Sequence, residues 1–440
     1  MFPFMKHRIL LWLALPVVVL VAALFWTGRN NEDPEPVEAP ELVPEQMSLR
    51  TNMSALAATP DWSKLQDYQY TMPRDIFMTQ LNAVYSQDRA WHSVINVHED
   101  FADVRGSGND RIRVYFAGRD RQKPPPRYWR SARELPSAPD LSGKPLSGLR
   151  IAVDPGHIGG EWSRMEERWY RGTGGYEVKE GELTLATAIL LKKQLESLGA
   201  KVWLLRNKTQ PVTKLRPPDF EPLARQVLKS RGKDPVGSDL HRASQSLFYR
   251  AHEIRRRAQV INTRIKPDIT LCLHLNAESW GNPEKPTMVS RNHFHLLING
   301  TYSARELRLE DNRFHLLKRL FQRTHDEELA LNRSIAKAMA EETGLPPYIY
   351  TTNNAKLIDK ANPYIYARNL LANRVYHCPV VFLEPYVMNN PEVYKRISMG
   401  DYAGKSKIAG AMRKSLIREY ADGVTEGLRN YYQQARGNNG

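Results

Sequence analysis

Three short apolar runs in this chain end in residue types that do chemistry. Residues 149–153 run into Asp154-Pro155-Gly156-His157, residues 269–273 into His274-Leu275-Asn276-Ala277, and residues 380–383 into Glu384-Pro385-Tyr386. If each run is a buried strand, two imidazoles and a carboxylate leave one edge of a sheet. Functional groups in open α/β sheets gather beyond the carboxyl ends of the strands. Any one of these is an ordinary surface turn; three together are more than chance turns supply. More carboxylates, in Val178-Lys179-Glu180-Gly181-Glu182, stand just ahead of a helical pattern, where capping the positive end of a helix is an equal reading. Two histidines and a carboxylate are the usual ligand set of a catalytic zinc site with water in the fourth position. A further glutamate outside the metal sphere can serve as general base.

The elements that must position these groups alternate. After the strand at 149–153 comes an amphipathic helix at 183–198, closed by Gly199. A strand at 202–205, a helix at 252–265, strands at 269–273 and 294–298, helices near 304–323 and 327–343, a strand at 380–383 and a terminal helix at 408–432 follow. Strand–helix alternation gives an α/β fold, a layered sheet flanked by helices. Ahead of it, helical spacing at 74–86 and strand alternation at 111–116 mark a small N-terminal α+β module at 61–122. Pro-rich stretches at 29–60 and 123–146 read as linkers, which leaves 147–440 for the catalytic domain.

Composition sets the surroundings. The 440 residues are 41% hydrophobic and 25% charged, an ordinary globular balance. The net charge of +15 suits anionic partners without choosing among them. Nucleic acid is the poor candidate, because it explains neither the N-terminus nor the histidines. Two cysteines, Cys272 and Cys378, in apolar runs are no disulfide framework; they read as buried thiols. Lys6, His7 and Arg8 precede an apolar run at 9–26, so residues 1–28 read as a cytoplasmic stub and a membrane helix. That topology makes a single-pass inner-membrane protein with its catalytic part on the periplasmic side; secretion after signal cleavage is the alternative.

Taken in order, these blocks resemble the zinc-dependent N-acetylmuramoyl-L-alanine amidases, the amidase type 3 family. The resemblance runs from about Leu146 to the C-terminus. It rests on Asp154 to His157, Glu180 ahead of Leu183-Thr184-Leu185-Ala186, Gly199 to Arg206, Arg257 with Asn262, His274 to Ala277, and Glu384 with Asn390. It implies that His157, Glu180 and His274 bind Zn2+, that Glu384 is catalytic, and that peptidoglycan is the substrate. It leaves room for a protein activator. A zinc peptidase or amidase cutting another wall amide, or a non-catalytic wall-binding scaffold, are the alternatives.

The chain departs from the family pattern in five places, the first being Ile158 between His157 and the glycines Gly159 and Gly160. The loop before Glu180 is long and holds Glu161, Glu166 and Glu167, which compete with Glu180 and Glu182 for the ligand role. Tyr386 stands where the family has glycine, an expected change to the pocket wall. Insertions fall near 207–250 and 304–325. The second carries Glu306, Glu310 and Asp311, and the family's habit of self-inhibition makes it a candidate plug for the metal site; its apolar stripe also suits an ordinary packing helix. His293 and His295, at strand spacing, read as a substrate contact or polar sheet face rather than a second metal site. His252-Glu253 lacks the second histidine of a zincin helix.

Overall fold

The computed structural model describes residues 47–437. The apolar run at 9–26 lies outside them, and no helix among the described residues is long and apolar enough to cross a membrane.

After a 3-10 turn at Trp62–Tyr68 come helix α1 (Arg74–Gln80) and strands β1 (Ile95–Val97), β2 (Phe101–Arg105) and β3 (Arg111–Tyr115), a three-stranded antiparallel sheet. The larger part of the chain follows with β4 (Arg150–Pro155), a hairpin of β5 (Trp169–Arg171) and β6 (Glu177–Lys179), helix α2 (Glu180–Ser197) and β7 (Lys201–Leu204). Then come helix α3 (Glu253–Gln259), β8 (Ile269–Leu273), β9 (Phe294–Ile298), α4 (Glu310–Phe321) and α5 (Thr324–Thr343). Strands β10 (Lys356–Leu357), β11 (Ile365–Ala367) and β12 (Val380–Pro385) complete the sheet. A hairpin of β13 (Ser406–Ile408) and β14 (Ala411–Arg413) precedes the last helix, α6 (Leu416–Gly437).

The central sheet has the order β10-β11-β9-β12-β8-β4-β7. Strands β7, β4, β8 and β12 run parallel, while β12 meets β9 antiparallel. β8 and β9 are buried at every residue, as apolar strands covered on both faces should be. On one face α2, α5 and α6 close the core; Leu191, Leu195, Ile335, Met339, Val424 and Leu428 are all buried there. The opposite face packs a second cluster around Ala152, Ala258, Ile261, Cys272, Leu297 and Phe382. Cys272 and Cys378 are free and buried, as expected.

Some expectations change. The terminal helix begins at Leu416 rather than 408, because Ala409 (φ 48°) and Gly410 (φ 85°) turn the chain into the β13–β14 hairpin. Strands β10 and β11 escaped the sequence reading. Helix α2 begins at Glu180, three residues before its apolar stripe, and ends as expected ahead of Gly199 (φ 96°).

The segment at 62–116 has the expected helix and the expected strand at 111–115, with β1 and β2 added, but its apolar side belongs to the main core. Phe77 and Tyr68 stack on Phe321, with centroids 5.6 and 5.8 Å away. Backbone amides of Thr301 and Tyr302 donate to the carbonyls of Val84 and Tyr85 at 2.8 Å. The Pro-rich stretch that follows is a packed strap rather than a free linker. Trp129, Ala132, Leu135 and Leu146 are buried along it. Arg130 and Arg150 both reach the fully buried Asp268 carboxylate at 2.7 Å.

Candidate metal centre

Sheet register explains why three chemistry-bearing residues meet. Strands β4, β8 and β12 are neighbours, with Pro155 opposite Leu273 and Leu273 opposite Leu383. His274 and Glu384 each follow the last of these levels by one residue, and His157 follows by two. All three therefore leave the same sheet edge side by side. Helix α2 brings Glu180 to them from above the sheet.

His157, Glu180 and His274 form the one group of three or more metal-ligating residue types found close together among the described residues. Each offers a ligand atom, and these atoms lie within 4.8 Å of one another. Glu180 sits between the imidazoles, with Oε2 3.3 Å from His157 Nε2 and Oε1 3.2 Å from His274 Nδ1. Its Oε1 also accepts the Leu275 amide at 3.1 Å. Burial favours the protonated Glu180 carboxyl, but the two histidines and Arg168 outweigh it and hold the group ionised. A buried carboxylate with two converging imidazoles is a donor set that fits a zinc ion.

The histidines are held in place by their surroundings. The His274 ring stacks on Phe382 at 4.4 Å and stands edge-on to His157 at 5.1 Å. A Cβ on Gly156 would fall 2.4 Å from the His274 ring, so only glycine fits in the turn before His157. His157 itself adopts a left-handed conformation, φ 57°. Two buried arginines fasten this loop. Arg257 donates to Asp154 at 2.8 Å and to the His157 carbonyl at 3.0 Å, while Arg206 donates to the Gly156 and Gly181 carbonyls at 3.1 and 2.7 Å. Tyr376 closes the network on Asp154.

Behind His157 stands a second buried carboxylate, Glu166. It accepts the Ile158 amide at 2.9 Å and lies 3.4 Å from His157 Nδ1. Burial pushes the Glu166 carboxyl up, but the His157 contact and the Ile158 amide hold it below the usual range. Both ring nitrogens of His157 thus face carboxylates. Of the competing acids, Glu182 is exposed and pairs with Lys179, Glu167 is exposed, and Glu161 lies at the surface. Glu384 lines the same cleft of about 610 Å³ with His157, Glu180 and His274. Its half-buried carboxyl is pushed up by desolvation and then by the charge of Glu180.

Other expectations are corrected. Glu306, Glu310 and Asp311 do not reach the cleft. Glu306 caps the turn at Ser303, Glu310 accepts Asn52 at 2.8 Å, and Asp311 accepts the Ser54 amide at 2.9 Å. The segment at 304–325 packs under the N-terminal sheet, so it is no plug. Tyr386 does not enter the pocket wall; it is buried, and its hydroxyl donates to Glu419 at 3.0 Å. It nevertheless keeps a glycine-like φ of 59°. His252 is buried against Thr213, and Glu253 anchors Arg257. His295 is sequestered with Tyr350. A larger hollow of about 780 Å³ lies between the strap and α6, but none of the four site residues lines it.

A parallel-stranded α/β enzyme with a histidine–carboxylate cluster beyond its strand ends is the class of molecule described by this fold and site. A family model described as N-acetylmuramoyl-L-alanine amidase matches residues 151–418, and the chain belongs to that family, hydrolases of the amide that joins peptidoglycan's N-acetylmuramic acid to L-alanine. The chain is similar to the apo N-acetylmuramyl-L-alanine amidase of Mycobacterium abscessus, at 17% identity and TM-score 0.35, covering 65% of this chain and 99% of that one. It is also similar to the CwlD amidase of Clostridioides difficile in complex with the GerS lipoprotein, at 12% identity and TM-score 0.37, covering 64% and 98%. For the catalytic domain of CwlV from Bacillus (Paenibacillus) polymyxa var. colistinus the values are 15%, 0.35, 64% and 96%. No curated protein gives a significant match.

Proposed function

We propose that this amidase is zinc-dependent, with His157, Glu180 and His274 as the protein ligands and Glu384 as the general base. The observation that carries the reading is the convergence of three ligand atoms within 4.8 Å in a cleft that Glu384 also lines. When bound, zinc supplies polarisation of the amide carbonyl and a water acidified to a pKa of about 7. Glu384 takes the proton of the attacking water and returns it to the departing nitrogen of L-alanine. Glu166, pinned by two backbone amides, orients the His157 ring from behind. Arg206 and Arg257 keep the loop that carries His157 from shifting.

The reading extends to location. Lys6, His7 and Arg8 ahead of the apolar run at 9–26 support an anchored protein with its catalytic unit beyond the membrane, within reach of the wall. A protein activator would meet it there. Fractionating cells that carry a C-terminally tagged chain tests this; a soluble cytoplasmic product overturns it.

Digestion of purified peptidoglycan tests the chemistry. The expected new amine is the N-terminus of L-alanine, lost on chelation and restored by zinc. A new amine on another stem residue, or full activity after the metal is stripped, overturns the assignment.

A further inference from the structure

Arg368 stands out among the residues lining the catalytic cleft because its charge is unanswered. Among the described residues it forms no ion pair within 4 Å, whereas Arg164 and Arg168, which line the same cleft, pair with Glu177 and Glu180. Its one side-chain hydrogen bond is a long one, 3.5 Å to the Tyr350 hydroxyl. Its backbone amide continues the β11 pairing by donating to the Ile298 carbonyl at 2.9 Å.

Register fixes the direction in which it works. Tyr366 lies opposite Leu297, and Leu297 opposite Phe382, so these three share a sheet face. Two residues on, Arg368 and Glu384 lie on that same face by alternation. Strand β11 runs antiparallel to β12, so Arg368 starts low on the face, and its long side chain runs back to Tyr350. The Tyr350 hydroxyl also bonds His295 Nε2 at 2.9 Å, and His295 is the cross-strand partner of Glu384. The guanidinium is thereby braced by a neutral hydroxyl and lines the same cleft as Glu384. Burial keeps His295 neutral, so it adds no competing charge.

We infer that Arg368 is a substrate-specificity residue that binds the free carboxylate of the stem-peptide residue following L-alanine. The inference rests on the amidase reading and on Glu384 protonating the leaving amine. A group that delivers its proton to the alanine nitrogen faces the peptide half of the substrate, and Arg368 shares its wall. The planar fork of a guanidinium matches a carboxylate in a way that a carboxamide does not.

The test uses zinc-loaded full-length protein and two soluble muropeptides that differ only at the second stem residue, D-isoglutamate or its amide D-isoglutamine. The wild type is expected to favour the acid by about ten- to a hundredfold in kcat/KM, mostly through KM. In Arg368→Gln the ratio should collapse toward one with zinc content retained. A wild type indifferent to the two substrates overturns the inference, and so does an R368Q that loses both activities equally. The wild-type ratio decides alone if the variant does not fold. Cleavage of neither muropeptide by zinc-loaded wild type instead defeats the amidase reading beneath it.

Discussion

At the scale of single residues, the proposed roles separate metal holding from proton handling, and variants should separate them too. His157→Ala or His274→Ala leaves two of the three proposed protein ligands, so zinc content and wall hydrolysis should fall together. Stoichiometric zinc in either purified variant would refute the ligand set. Glu384→Gln should keep its metal and lose about a hundred- to ten-thousandfold in kcat; loss of zinc from this variant would make Glu384 a ligand. Glu166→Ala is expected to weaken zinc binding by about ten- to a hundredfold in a chelator competition, since the His157 ring loses its brace. Unchanged affinity would reduce Glu166 to loop packing. The His157, His274 and Glu384 trio was legible in the sequence because each stands at or just past the end of a short apolar run that forms a strand of the sheet. The choice of Glu180 over Glu182 was not. Two residues apart on a helix lie about 200° apart, so only one can face the site, and that choice depends on where α2 starts. The role of Glu166 was equally hidden, since it sits in an irregular loop of the chain with no periodicity to aim it.

Among the elements, the segment at 304–325 shows how a carboxylate-rich insertion can invite the wrong reading. Its acids lie in sequence near the His274 strand, yet in space Glu310 and Asp311 serve the N-terminal segment and Glu306 caps its own helix. Asp311 takes the Ser54 amide and faces Arg255, and Arg313 donates to the Arg105 and Gly106 carbonyls. Asp311→Asn should therefore not raise wall hydrolysis. It should lower the melting temperature by a few degrees, because a buried acceptor is lost. A more active, equally stable variant would revive the plug. The short strands were illegible for a plain reason. β10 is two exposed residues and β11 three, too brief for alternation to register. The β13–β14 hairpin was absorbed into the expected helix because its turn residues, Ala409 and Gly410, follow an apolar isoleucine.

For the whole molecule, acid should act through buried histidines remote from the site. His325, in the first turn of α5, is buried and held down to about 4 by desolvation. The unfolded chain binds a proton there below about 6.5 that the native state refuses. The stability contributed by neutral His325 is thus whole above about pH 6.5 and is lost as pH falls toward 4, at most about 3 kcal/mol. Across that window the wild-type melting temperature should drop more steeply than that of His325→Asn; parallel curves would remove the effect. The strap has a consequence of another kind. Residues 151–418 match the family, so a gene-level exchange would treat them as a cassette. In this chain the cassette's underside is finished by residues from before it: Arg130 on Asp268, Trp129 in the core, and Phe77 against Phe321. A recombinant that swaps the cassette alone would inherit an unfinished core. Viable crossovers should fall upstream of Asn52, which with Ser54 already bonds into this fold, and that makes the N-terminal segment and the catalytic fold a single heritable unit.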